Sequence, residues 1–447
     1  MEICKVYVPV GAICGGVDSD DVERAMALKP DIISADAGST DSGPYYLGAS
    51  KSKYSRKSLK HDLKLMIVAA RRNSIPITIG SCGTCGTDSG VDLFEEICKE
   101  ILKEEGLTAK IAKIYMQQSA ETLKKKYEEG KIRPLSGAPE INADTFASCS
   151  NIVALAGVEP FIAALKGGAD IVLCGRATDT AIIAAYPLIH GVDPAIAWHA
   201  AKLSECGAVC TNQGRGGLLL RFEKDSVIVE ATAKGNSCSV FTVSSHLLYE
   251  NSDPIVLDEP GVEIDTSESV YEQIDEKRVR VSNTKYKKMP YTMKLEGSRL
   301  AGYQTITLVG IRDRKIMHQP VDWLNQLENA AKKKLEAYGF DMNSFSYSLR
   351  PYGWNAVYGG EVPEGYVPNE IGVLLTVTAG SQELATQVAK SLNPLLLHFK
   401  VASDKLMPSF AFPFSPAEIE RGGIYEFVLN HVVSVDNPEE LVRIVMD

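Results

Sequence analysis

Three stretches of the sequence reach the same dipeptide after an apolar run and a string of small residues. "DIISADAGSTD" ends on Thr40 and Asp41, "PITIGSCGTCGTD" on Thr87 and Asp88, and "ADIVLCGRATD" on Thr178 and Asp179. Carboxylates brought together in this way can exchange protons with a substrate or ligate a hard divalent ion such as Mg²⁺ or Mn²⁺. The small residues before each pair, including Ser39, Gly83 and Gly86, let a ligand approach the backbone. The plainer alternative is that each Thr or Asp caps the next helix. Both readings stay open, since a helix start can also bind an anion.

Charged residues in apolar or glycine-rich surroundings add to this set. Arg176 follows "IVLCG" directly, where a guanidinium can hold a carboxylate or phosphate with two parallel hydrogen bonds. Asp36 sits in "SADAG" at another expected strand end. Lys294 and Glu296 flank Leu295 in "MKLEGS"; on a strand they share one face, either as a buried pair or as part of a solvated sheet surface. Cys82 and Cys85 have redox spacing but no aromatic or Pro after them in thioredoxin style, and no second CxxC completes a zinc site. Cys14, Cys82, Cys85 and Cys174 all fall near expected strand ends, so an iron–sulfur cluster is a minority reading. The seven histidines, His199 and His246 among them, form no zincin motif. Phosphate-loop, dinucleotide-fold and serine-hydrolase signatures are also missing.

These residues need a scaffold that brings loop ends together. Up to about residue 212, Val/Ile-rich runs alternate with helical periodicity, as in "KVYVPVGA", "SDDVERAMAL", "IPITIGS", "GVDLFEEICKEILKEEG", "AKIAKIYM" and "NIVALAG". This predicts an α/β domain over 1–212, a mostly parallel sheet flanked by helices in a Rossmann-like, doubly wound arrangement, with a barrel not excluded. Loops after parallel strands open on one edge, where ligands bind. The three Thr-Asp loops are therefore expected to converge. From 213 to 447 the texture becomes β-rich and then β-α-β-β-α, predicting a β-rich segment and an α+β part packed on the first domain.

Composition bounds the class. The 447 residues are 45% apolar and 23% charged, ordinary for a globular chain. The net charge of −10, with both signs interspersed, gives no footprint for nucleic acid or an anionic membrane. Ten scattered cysteines and a start, "MEICKVYVPVGA", that reads as a strand more than a signal peptide lead to the expectation of a cytoplasmic protein with reduced thiols.

The segments "ADAGSTDSGPYYLG", "GVEPFIAALKGGADIVLCGRATD", "SSHLLYENSDP", "YTMKLEGSRLAGYQTITLVGIRD" and "FAFPFSPAEIERGGIYEFVLNHVV" together resemble the acyclic terpene utilisation protein A family, AtuA, almost from end to end. The resemblance implies a metabolic setting among enzymes that break down branched acids or their coenzyme A esters. It also implies an extra segment, fused or separate, of roughly a hundred residues, a length typical of a small domain. The sequence ends soon after the last matching motif, so a separate small partner subunit is expected alongside or instead of a homo-oligomer. Carried over by position, the site candidates are Ser39, Thr40, Asp41, Asp88, Arg176, Asp179, Glu250, Lys294 and Glu296. The family's glycine-rich loop is expected to carry small residues where this chain has Cys82 and Cys85, which argues against thiol chemistry as a shared mechanism.

The resulting expectation is a lyase of the hydratase type, abstracting a proton alpha to a carbonyl in a small branched carboxylic acid or acyl-CoA. Asp41, Asp88, Asp179, Lys294 and Glu296 would act in catalysis. Ser39, Thr40, Gly83, Gly86, Arg176 and Glu250 would bind substrate, with Asp41, Asp88 and Asp179 as ligands if a divalent ion takes part. The rival expectation is a non-catalytic acyl-CoA or organic-acid-binding subunit of a larger complex.

Overall fold

The computed structural model describes residues 1–248, 251, 253–400 and 410–446. The chain forms two compact units, Met1–Arg299 with Glu426–Asp447, and Leu300–Tyr425. The boundary expected near residue 212 falls inside the first unit, because Leu218–Phe222 pairs antiparallel with the first strand, Cys4–Val8.

The centre of the first unit is a row of five parallel strands, in the spatial order Cys4–Val8, Ile32–Asp36, Ile77–Gly80, Ile171–Cys174, Ile111–Tyr115. Antiparallel strands extend it on both sides, Leu218–Phe222, Ser226–Ala231, Arg278–Ser282 and Val270–Gln273 beyond one edge and Arg443–Met446 beyond the other. Among the described residues the sheet runs open from Val270–Gln273 to Arg443–Met446, so the barrel left open by the sequence does not form.

Successive residues of each strand feed opposite layers, as the two-residue period of a strand requires. Ile33, Ile79 and Leu173 pack with Leu63, Met66, Phe94 and Ile97 of the helices Arg56–Arg72 and Asp88–Glu105. Their neighbours Ile32 and Val172 face Phe161, Ile182 and Trp198 of Glu159–Lys166, Asp179–Ile189 and Pro194–Ser204. Each such side chain, fully buried, contributes about 1.5–3 kcal/mol. The helix ends follow their cap chemistry. Ser55 accepts from the Ser58 amide, and Gly106 closes Asp88–Glu105 in the left-handed region at φ +63°.

One expected strand leaves the parallel sheet. Asn151–Ala154, within "NIVALAG", pairs antiparallel with Leu295–Ser298. An apolar run shows that a segment is buried but not which partner it takes. The Asn151 amide, donating to the carbonyls of Leu47 and Gly48, fixes its start elsewhere. This pairing carries Lys294 and Glu296 towards the strand ends.

In the second unit Tyr303–Ile311 pairs antiparallel with Ile371–Ala379, which pairs with Phe345–Tyr352. The helices Pro320–Ala337 and Gln382–His398 cover one face through Trp323, Leu327, Val388 and Leu392, packed on Val309, Val373 and Leu375. This is the β-α-β-β-α order expected of the tail. No described helix is long and apolar enough to cross a membrane.

His199 is buried in Pro194–Ser204, with Nδ1 2.6 Å from the Thr284 hydroxyl and Nε2 3.2 Å from the Tyr271 hydroxyl. Burial pushes its pKa down to about 4 from 6.5. Unfolding lets the imidazole take a proton, so this contribution to stability is present above about 6.5 and lost as pH falls towards about 4. We expect the unfolding midpoint to drop over that window, and His199→Gln to flatten the slope even if it lowers the midpoint at neutral pH. Urea titrations at a series of pH values read this directly, and an unchanged slope in the variant would contradict it.

Candidate functional site

The strands ending in Asp36, Gly80 and Cys174 are neighbours in the sheet, so the loops after them open side by side. Thr178 caps Asp179–Ile189, its hydroxyl accepting from the Ala181 amide at 3.3 Å. That helix comes close to the sheet where Gly80 leaves room, since a Cβ there would lie 2.2 Å from the Ile182 side chain. Ser39 caps the short turn Thr40–Ser42 by accepting from the Asp41 amide. Thr87 stands at the N-cap of Asp88–Glu105, but its hydroxyl bonds to those of Ser50 and Ser89. Capping and site geometry therefore coexist in two of the three loops.

Arg176, 5% exposed, ties the loops together. Its Nε donates to Glu296 Oε2 at 3.0 Å, and Nη1 donates to the Gly38 carbonyl at 3.1 Å and the Ser81 hydroxyl at 2.7 Å. Thr40 donates to Glu296 Oε1 at 3.1 Å, and Lys294 Nζ lies 3.1 Å from the same oxygen. Burial pushes the Glu296 carboxyl up, but Arg176 and Lys294 outweigh it and hold it below its ordinary value. Gly86 makes the close approach of Arg176 feasible. It sits at φ +62°, and a Cβ there would lie 2.8 Å from the Arg176 backbone nitrogen.

Beside this hub lies a cleft of about 590 Å³, a size suited to a small ligand. Arg176, Asp179, Lys202, Glu205, Glu259 and Lys294 line it, with Asp41 at its exposed margin. Lys202 is 3.0 Å from Glu205 and 3.8 Å from Glu259. Burial raises the Asp179 carboxyl above its ordinary value against the opposing pull of Arg176 and Lys202. Burial raises Glu205 further, to about 8, and lifts Glu259 as well. Asp36, behind the cleft, is pushed well up by burial and by Asp179, and among the described residues its Oδ1 has no hydrogen-bond partner. Carboxyls raised above their ordinary values by burial thus stand next to Arg176 and Lys202.

Of the residues singled out in the sequence, Asp41, Arg176, Asp179 and Lys294 meet at this cleft, with Thr40 and Glu296 bonded behind them. Ser39 and Gly86 shape the backbone, and Gly83, at φ +74°, backs onto Gly90. Asp88 is drawn into an ion pair with Arg443 at 2.8 Å and does not line the cleft. Glu250 lies outside the described residues. Cys82, Cys85 and Cys174 are buried thiols; Cys85 Sγ lies 3.2 Å from the Thr87 hydroxyl. Among the described residues no group of three or more His, Cys, Asp or Glu side chains is placed to hold a metal ion. Sequence reasoning missed Lys202, Glu205 and Glu259. The available signal was a lysine and a glutamate closing "AIAWHAAKLSE", a helix apolar all round and therefore buried.

The family model described as Acyclic terpene utilisation family protein AtuA matches residues 33–402. The chain belongs to the AtuA family. Every cleft residue named above falls within the matched span. AtuA membership points to a broadly metabolic role in acyclic terpene utilisation. Comparison with curated proteins and with solved structures gives no match.

Removing one member of the Arg176–Glu296 pair leaves the other charge buried, which costs about 3–5 kcal/mol. We expect Arg176→Ala to lower the urea midpoint strongly, and Arg176→Ala with Glu296→Gln to lower it by less than the sum of the single changes. Additive losses in that double-mutant cycle would show that the two side chains do not act as a pair.

Proposed function

We propose that this chain is a lyase of the hydratase type, acting on a small branched carboxylic acid or its coenzyme A thioester. The observation that carries the reading is the placing of Asp179 and Glu205, two carboxyls with raised pKa, in one cleft with Lys202, Arg176 and Lys294. In the dehydration direction Asp179 takes the proton from the carbon next to the carbonyl. The bond from the following carbon to its hydroxyl breaks, Glu205 protonates the leaving oxygen as water, and a carbon–carbon double bond forms between the two carbons. Hydration is the reverse. Lys294, on the half-exposed side of the Glu296 pair, stabilises the negative charge that builds on the carbonyl oxygen. Arg176, with its donors engaged inside the protein, positions Glu296 and the loops.

An acid that ionises near the working pH suits this role. The test uses protein purified from its native host, so that a small partner subunit stays with it, and a panel of branched enoyl and hydroxyacyl thioesters and free acids. We expect dehydration of the hydroxyacyl substrates to fall as pH rises through about 8, where Glu205 loses its proton, and Glu205→Gln to abolish that limb. Asp179→Asn is expected to lower turnover by about 100-fold or more with little change in ligand affinity. Full turnover in Asp179→Asn would overturn the assignment. Binding without turnover across the panel would favour the non-catalytic acyl-CoA or organic-acid-binding subunit.

A further inference from the structure

The second unit contains two adjoining hollows of opposite character. The first, about 530 Å³, lies where Gly310 and Gly372 adjoin the helix-facing Ile311, Ile371 and Phe410. The register sets Ala411, Gly310, Gly372 and Tyr352 in a row across four strands. Three consecutive positions with no side chain beyond a methyl group leave a trough, closed at one end by the Tyr352 ring and lined by Phe410. Neither glycine is required by sterics. Among the described residues a Cβ at Gly310 would meet only the Ala411 carbonyl oxygen, at 3.6 Å, and one at Gly372 only a Leu308 methyl, at 3.4 Å. The trough is therefore space that ordinary side chains could have filled.

The second hollow, about 490 Å³, shares Arg312 and Glu370 with the first and adds Arg314 and His318. Among the described residues neither guanidinium has a hydrogen-bond or ion-pair partner. Most arginines of this acidic chain hold a hydrogen-bond or ion-pair partner, as Arg56, Arg71, Arg221 and Arg299 do, whereas these two share one concave surface unpaired among the described residues. His318 Nδ1 lies 2.6 Å from the Arg314 carbonyl oxygen, so it donates there and Nε2 is left for another partner. Glu370, exposed at the junction, is the opposing charge.

We propose that these joined hollows bind an anionic amphiphile, a molecule with a short apolar chain in the glycine trough and a carboxylate or phosphate head on Arg312 and Arg314. The site lies wholly within the second unit and does not depend on the cleft of the first. Guanidinium groups accept either head with paired hydrogen bonds, and the trough contributes by covering the chain. Glu370 weakens the site by repulsion.

Calorimetric titration of the full chain with octanoate, octyl phosphate and the neutral octanamide tests this. Octanoate or octyl phosphate is expected to bind at least about tenfold more tightly than octanamide, the factor supplied by one charge-assisted hydrogen bond; which of the two wins identifies the head group. Arg312→Ala with Arg314→Ala should remove that preference, Gly310→Val should abolish binding of all three by filling the trough, and Glu370→Gln should tighten the anions. Because both arginines and Gly310 lie in the second unit, these changes also separate this site from the cleft of the proposed reaction. Equal affinity for octanamide and the anions, or unaltered binding in Gly310→Val with its unfolding midpoint intact, would overturn the proposal.

Discussion

The first unit depends on one buried cation. Arg176 reaches from its own loop to the Gly38 carbonyl, the Ser81 hydroxyl and the Glu296 carboxylate, so four separate segments of chain end at a single planar group. A guanidinium suits this position because its donors are fixed in a plane and keep their charge when desolvated. Burying Glu296 without it would leave a carboxylate facing only Lys294 and Thr40. The geometry of the cleft next to it is in that sense a property of the pair, with the loops following.

Much of this arrangement was legible in the sequence, and for reasons that can be named. The parallel strands follow from short Val/Ile runs alternating with amphipathic helices, and the convergence of the Asp36, Ser81 and Arg176 loops follows from adjacency of those strands. Lys294 and Glu296 share a face because a strand alternates. The long-range pairings were less accessible. Asn151–Ala154 has the same apolar texture as the parallel strands, yet its partner is Leu295–Ser298, more than a hundred residues on. Asp88 repeats the Thr-Asp pattern, but Arg443, from the far end of the chain, takes its carboxylate. Lys202 and Glu205 do not form a motif at all; only the depth of their helix gives them significance.

The two units put small residues to different uses. Gly80 and Gly86 stand where another atom already occupies the Cβ position, so their role is to let the 179–189 helix and the Arg176 backbone approach the sheet and loop. Gly310 and Gly372 stand where, among the described residues, a Cβ would meet its neighbours at ordinary contact distances. Composition alone would count all four alike, and only the surroundings separate a packing glycine from one that keeps a surface hollow.

The cleft of the first unit is lined by five carboxyl side chains, Asp41, Asp179, Glu205, Asp258 and Glu259, against the three cations Arg176, Lys202 and Lys294. Acidic side chains outnumber basic ones there, and burial pushes the Asp179, Glu205 and Glu259 carboxyls up. A negatively charged guest entering such a space adds to the imbalance, and the least costly response is for a carboxyl to capture a proton from solvent. Occupancy of the cleft is thereby tied to proton uptake, and the heat of binding an acid there carries the ionisation heat of whichever buffer supplied that proton.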